Sequence, residues 1–167
     1  MSGLHQFELA AADGTLIRGD RSIGQDRQIL FITGFLSKRW GNKSKALAQW
    51  CEEKGWGFCC YDVRGCGDSG GTFTDYTLCD WIQDARVVLD RLADGPPLTI
   101  VGNSLGGWIA WLMAQEYPLV EKLVLIAPAF NMMGLRAKSI EPERRHVWHT
   151  AGWMPWDDEP AHRDFPI

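Results

Sequence analysis

The sequence predicts an α/β fold, with helices on both faces of a mostly parallel β-sheet. Continuous apolar runs, typical of strands that are buried on both faces, occur at residues 28–32, 98–101 and 123–126. Segments such as residues 78–92 and 108–117 lie between the later runs and place apolar residues at helical spacing. Strands that alternate with helices in this way favour parallel pairing through helical crossovers.

The first elements in the chain are a β-hairpin and a strand–helix pair. Asp13-Gly14 is a hairpin turn signal between two short strand patterns at residues 7–10 and 15–20. Asn42 is the predicted cap of a helix that runs to about Lys54 and follows the buried run at 28–32.

The later elements divide the chain into two parts. A strand is predicted at 57–62, and prolines mark the ends of the two helices that follow it. We therefore expect residues 1–128 to form the core. Residues 129–167 lose the alternating pattern and are predicted to be an irregular, lid-like segment with a charged stretch that could be helical.

Composition excludes several classes of protein. The 167 residues carry a net charge of −4, so no basic surface for nucleic acid is expected. No apolar run approaches the ~20 residues of a membrane span. The number of cysteines, five, is odd, and no two of them form a C-x-x-C pair. Both features disfavour a disulfide framework and a zinc site. Because the first residues show no cationic stretch followed by an apolar one, a cytoplasmic location is expected.

The motif that carries chemistry is Gly102-Asn103-Ser104-Leu105-Gly106, which fits G-x-S-x-G. A buried strand precedes it and a buried helix follows it, which is the context of a serine nucleophile on a tight turn. Ser104 is therefore the predicted nucleophile. The backbone N–H of Leu105 is a predicted donor to the oxyanion that forms when a serine attacks a carbonyl group.

A second oxyanion donor is expected after an earlier strand. Gly34 follows such a strand and allows close backbone approach, so the N–H of Phe35 is the best candidate, with Leu36 next. The loop at 65–70 also matches the dinucleotide-binding pattern G-x-G-x-x-G. We reject that interpretation because no helix opens directly after it.

Residues 33–37, 62–69 and 102–107 together resemble the α/β-hydrolase superfamily, in its serine esterase and acyl-protein thioesterase-like branch. The resemblance covers roughly residues 5–130. It implies an α/β-hydrolase core, C-terminally short, that begins with a β-hairpin. It also implies an ester or thioester hydrolase that forms an acyl-enzyme on Ser104, with Phe35 and Leu105 as oxyanion donors and no cofactor.

The general base and its acid are harder to locate. In this superfamily the chain order is serine, acid, histidine, but only one clear strand follows Ser104. Asp157 or Asp158 with His162 keeps the order. The other histidines after Ser104 are His146 and His149, and Asp164 is a further nearby acid. Three explanations stay open: the chain is truncated, tail residues have been recruited, or a homodimer partner covers the exposed sheet edge and completes the site.

The expected substrate is a small carboxylic ester, thioester or lactone with an apolar acyl group. Leu36, Trp153 and Trp156 are the predicted substrate-binding residues. Asp157-Asp158-Glu159 is an oxygen cluster that could hold Ca²⁺, although an ordinary charged surface is the simpler interpretation. The alternative function is a catalytically incomplete, hydrolase-like fragment that acts as a binding or dimerising module.

Overall fold

A six-stranded sheet organises the molecule. The computed structural model describes residues 3–154 and 165–166. The strands lie in the order β1-β2-β4-β3-β5-β6; β1–β2 and β2–β4 pair antiparallel, and the other neighbours pair parallel. The predicted fold class is therefore confirmed. The strands are β1 (His5–Ala10), β2 (Leu16–Ser22), β3 (Gln28–Ile32), β4 (Gly57–Tyr61), β5 (Leu98–Asn103) and β6 (Val120–Ile126).

Among the described residues, five α-helices and one 3-10 turn connect or follow these strands. The second helix has the predicted bounds, and the first ends at Lys54 as predicted but begins one residue early. The third helix begins at Leu105, three residues before the predicted start, because the turn that holds Ser104 leads directly into helix. The helices are α1 (Asn42–Lys54), α2 (Leu78–Leu92), α3 (Leu105–Glu116), α4 (Met132–Ser139) and α5 (Pro142–Ala151), and the 3-10 turn is Phe73–Asp75.

The cap of α1 differs from the prediction. Asn42 is the first helical residue, and Gly41 is the N-cap. The Ser44 hydroxyl accepts a hydrogen bond from the Gly41 N–H at 2.8 Å. This hydrogen bond satisfies the N–H of the cap residue, whereas the predicted bond from a cap side chain to the first helical turn is not formed, since glycine has no side chain.

Helices cover both faces of the sheet. Side chains of β3 alternate between the two layers, with Leu30 and Ile32 facing α2 and α3, and Ile29 and Phe31 facing α1. Trp81 of α2 is almost fully buried in the first layer. Because β3, β4 and β5 run parallel, their carboxyl ends meet at one edge of the sheet, where the predicted nucleophile lies.

The segment after β6 is more regular than expected. Helices α4 and α5 occupy most of residues 132–151, and Ile140 and Trp148 form a small buried cluster there. Two short strands, β7 (Trp153–Met154) and β8 (Phe165–Pro166), pair antiparallel. The charged stretch that was expected to be possibly helical thus lies in these two helices.

One edge of the sheet carries an open apolar groove of about 660 Å³ beside α1. Its walls include Trp50, Trp56, Val101 and Val124, and Val124 of the terminal strand β6 is 46% exposed. A homodimer across this edge stays a prediction. Within the part of the chain that the structure describes, no helix has the length and apolar character needed to cross a membrane.

Candidate active site

Ser104 occupies the turn between β5 and α3. Its backbone has φ 53° and ψ −120°, a conformation that non-glycine residues rarely adopt. Its N–H donates to the carbonyl of Ile126 at 2.9 Å, and its own carbonyl accepts the N–H groups of Gly107 and Ala129 at 2.9 and 3.0 Å. The side chain is partly exposed. The fold therefore holds a strained serine at the edge of the sheet, within reach of solvent.

The glycine after Ser104 is required by close packing against β3. A Cβ on Gly106 would lie 2.2 Å from the carbonyl oxygen of Thr33 and 2.3 Å from that of Ile32. Both are backbone atoms and cannot move aside. The second glycine of G-x-S-x-G thus lets α3 begin directly against the end of β3.

The loop between β3 and α1, residues 33–41, lies directly beside the serine. A Cβ on Gly34 would be 3.1 Å from the Cβ of Ser104 and 3.1 Å from the side-chain nitrogen of Asn103. Ser37 donates its N–H to the Gly34 carbonyl at 3.2 Å, which closes a tight turn. Leu36 within this turn has φ 51°, a second strained residue at the same edge.

The two predicted oxyanion donors fall on these two segments. Leu105 is the first residue of α3, so its N–H has no acceptor within the helix. Phe35 lies in the turn after Gly34, and its ring packs edge-on against Phe73 and Trp81, with centroids 5.3 and 6.2 Å away. These aromatic contacts hold the Phe35 ring against the interior of the protein. The structure therefore brings Phe35 and Leu105 to the same edge as Ser104.

The three predicted substrate-binding residues lie in different parts of the chain, and the structure describes two of them. Leu36 is 48% exposed in the turn beside Ser104. Trp153 lies in β7, and Trp156 lies outside the described residues. An internal cavity between Phe35, Phe73, Trp81 and the start of α3 measures only about 10 Å³. Leu36 also lines this cavity, so its side chain lies between the cavity and solvent.

The predicted acid and base cannot be placed. Asp157 and His162 lie outside the described residues, as do Asp158 and Glu159 of the proposed Ca²⁺ cluster. His146 and His149, the alternative bases, are exposed on α5. Over residues 3–154, no hydrogen bond joins either of them to Ser104. No group of three or more potential metal ligands is found among the described residues either.

Two buried arginines near the site were not singled out from the sequence. Arg39 and Arg64 are each about 4% exposed, and each contacts a buried carboxylate. Arg39 pairs with Asp62, and Arg64 pairs with Asp84. Their place in the sequence could have pointed to them, because Asp62 and Arg64 follow closely after a buried strand. Asp84 also has the helical spacing of the apolar residues in α2.

Cys66 lies beside the same turn but is a poor nucleophile. Burial raises the pKa of its thiol to about 11, and the charges of Asp62 and Asp84 act in the same direction. The thiolate is the reactive form of cysteine. At neutral pH Cys66 is therefore a protonated thiol, so it does not compete with Ser104 as a nucleophile.

Comparison with protein families identifies one match. A family described as alpha/beta hydrolase fold matches residues 28–160. Palmitoyl-protein thioesterase ABHD10, mitochondrial, from Homo sapiens is 35% identical over 133 residues. That alignment covers 75% of this chain and 43% of the relative. The Bos taurus protein of the same name is 34% identical over the same shares. The chain thus spans less than half the length of these curated relatives.

Solved structures agree on the fold. Alpha/beta hydrolase domain-containing protein 10 from mouse superposes with a TM-score of 0.85 at 27% identity, covering 98% of this chain and 66% of that one. Est1E from Butyrivibrio proteoclasticus, solved with ferulic acid bound, gives a TM-score of 0.80 at 19% identity, covering 96% and 67%. At that identity the second likeness shows the fold alone.

The comparisons correct one prediction. A cytoplasmic location was expected because the first residues carry no secretory signal pattern. The curated relatives are named as mitochondrial proteins, which contradicts that expectation. The expectation rested on the lack of one kind of signal, and such a lack does not distinguish between the remaining compartments.

Proposed function

The chain belongs to the alpha/beta hydrolase fold family, and from this premise we propose that it is a serine hydrolase with Ser104 as its nucleophile. The observation that carries the proposal is the backbone of Ser104. Its φ of 53° at a strand-to-helix turn, packed against Gly34, is the strained geometry that exposes a nucleophilic hydroxyl. Backbone strain of this kind is concentrated at functional sites.

The reaction follows from the groups at this edge of the sheet. The Ser104 oxygen attacks the substrate carbonyl carbon, a general base takes the hydroxyl proton, and the carbonyl electrons move onto oxygen. The amides of Leu105 and Phe35 are proposed to stabilise that oxyanion. The leaving alcohol or thiol departs with the proton, and water then releases the acid from the acyl-enzyme by the same steps. His162, oriented by Asp157, remains the proposed base.

The proposed substrate is an ester, thioester or lactone with an apolar acyl group. Apolar side chains, among them Phe35, Leu36 and Phe73, line a small cavity at this edge of the sheet. Leu36, half exposed beside Ser104, offers an apolar surface on the outer side. The thioesterase name of the relatives supports a thioester as the first class to examine.

The test is covalent labelling with a fluorophosphonate, which reacts with activated serines. The full chain should become labelled at Ser104, as located by peptide mass spectrometry. Ser104→Ala should abolish labelling, and Ser139→Ala, a change on exposed α4, should not affect it. A folded wild-type chain that resists the probe would argue against an activated nucleophile.

A second function, binding without turnover, is favoured by one observation: in the described part of the chain no histidine is bonded to Ser104. Alanine variants of His146, His149 and His162, assayed on a short-chain aryl ester, separate the two functions. Loss of hydrolysis in one of them, as in Ser104→Ala, identifies the base. Activity that depends on Ser104 alone indicates an incomplete enzyme, since oxyanion stabilisation and binding leave residual rate.

A further inference from the structure

The loop of residues 33–41 is anchored at both ends. At its start, Gly34 packs against Ser104. Near its end, Arg39 turns inward, and its side chain is only 5% exposed. Phe35 and the strained Leu36 lie between these two fixed points. The position of the Phe35 amide therefore depends on both anchors.

Arg39 is held by carboxylates from separate parts of the fold. Its Nε donates to Asp20 of β2 at 2.6 Å, and its backbone N–H donates to Asp62, after β4, at 2.5 Å. The guanidinium also donates to Asp62 and, at 2.8 Å, to Asp68 in the following loop. The neighbouring Trp40 indole donates to Asp20 at 2.7 Å. One side chain thus joins the loop to β2 and to the end of β4.

The charged groups around Arg39 hold one another in fixed positions. Burial opposes the charge on Arg39, but the hydrogen bonds with Asp20 and Asp62 outweigh it and raise the pKa of the guanidinium. Three carboxylates surround one cation, and the Asp20 and Asp62 side chains are at most 9% exposed. A buried ion pair is a weak source of stability compared with apolar packing, whereas it does fix the relative positions of its members.

We propose that Arg39 is a positioning residue, which fixes the 33–41 loop so that the Phe35 amide faces the oxyanion formed on Ser104. This inference rests on the proposed serine hydrolase function. An oxyanion donor acts only when it is held in place before the reaction. Loosening the distal anchor should therefore slow acylation without weakening substrate binding.

The principal test compares Arg39→Lys with Arg64→Lys in fluorophosphonate labelling of the full chain. Lysine keeps the charge but cannot reach Asp20 and Asp62 together with a planar fork. Arg64 is equally buried, yet its guanidinium bonds to Asp84, Asp13 and the Asp80 carbonyl, all outside the loop. We expect Arg39→Lys to lower the maximal labelling rate roughly 10- to 100-fold with unchanged half-saturation, and Arg64→Lys to change it little. Equal losses in both variants would overturn the proposal.

Hydrogen exchange supplies a readout that needs no activity. Arg39→Lys and Asp62→Asn should each speed amide exchange at residues 34–38, measured well below the unfolding temperature, while Arg64→Lys should not. If the wild type is never labelled, the proposed function fails, and this exchange pattern still decides the role of Arg39. Unchanged protection of residues 34–38 in both variants would refute the positioning role.

Discussion

The carboxylate of Asp84 accepts two hydrogen bonds from Arg64, one from the backbone N–H at 2.8 Å and one from Nε at 2.6 Å. Asp84 is fully buried, and burial raises its pKa against the opposing contacts of Arg64. The Trp81 indole donates to the Arg64 carbonyl at 3.1 Å. The pair thus joins helix α2 to the segment that follows β4.

Breaking this pair should strongly destabilise the protein. Asp84→Asn leaves the Arg64 charge buried beside a neutral amide, and a broken buried pair typically loses about 3–5 kcal/mol. Urea unfolding followed by tryptophan fluorescence measures the change. The matched control is Glu116→Gln, which breaks the exposed pair of Glu116 with Arg86 and should shift the midpoint far less. Similar shifts for the two variants would mean that burial does not set the strength of the Asp84 contact.

The fold could be predicted from the sequence largely because its signals are local. The apolar run at 28–32 needs no partner to be identified as a buried strand, and the glycines around Ser104 constrain the turn wherever it lies. The spacing of Trp81, Asp84, Ala85 and Val88 places Asp84 on the buried stripe of α2. From its charge Asp84 was predicted to lie off that stripe, and this was wrong, because the buried partner Arg64 compensates the charge.

The site could be predicted only in part. Ser104 and Leu105 belong to one continuous motif, and Phe35 follows from the end of an earlier strand. Arg39 pairs with carboxylates at positions 20, 62 and 68, which are far apart in the chain. Pairings of that kind depend on the register of β2, β3 and β4, which the sequence pattern does not specify. The general base also stays a prediction, because the order of residues along the chain does not determine where their side chains lie in space.

Enlarging Gly34 should impair the site more than the fold. A Cβ at 3.1 Å from the Ser104 Cβ is tighter than ordinary contact, so Gly34→Ala should push the turn or the serine outward by a few tenths of an ångström. We expect the labelling rate at Ser104 to fall roughly 10- to 100-fold, with a stability loss of about 1–3 kcal/mol.

The control for that variant lies in the same loop. A Cβ on Gly41 meets no atom within 4 Å, and its φ of −140° suits any residue. Gly41→Ala should therefore leave labelling at Ser104 unchanged, apart from a modest stability loss, because alanine is a poor N-cap. If both variants lose labelling equally, the contact between Gly34 and Ser104 is not what the reaction depends on.

The reactivity of Cys66 should follow its raised pKa. With a pKa of about 11, the thiol is about 1% ionised at pH 9, whereas a cysteine with the ordinary pKa of 9.0 is about half ionised. The rate of alkylation by iodoacetamide, followed at Cys66 by mass spectrometry, should still be rising above pH 10. A rate that levels off near pH 9 would contradict the burial of this thiol.

The same shift fixes the direction of a pH effect on stability. The folded state raises the pKa of Cys66 from its ordinary value of 9.0 to about 11, so folding favours the protonated thiol. Its contribution to stability is present below about pH 9 and is lost as the pH rises through about 11. Cys66→Ser removes this group, and the variant should lose less stability than the wild type between pH 9 and pH 11 in urea unfolding. Parallel pH curves for the two proteins would show that the Cys66 thiol titrates alike in the folded and unfolded chains.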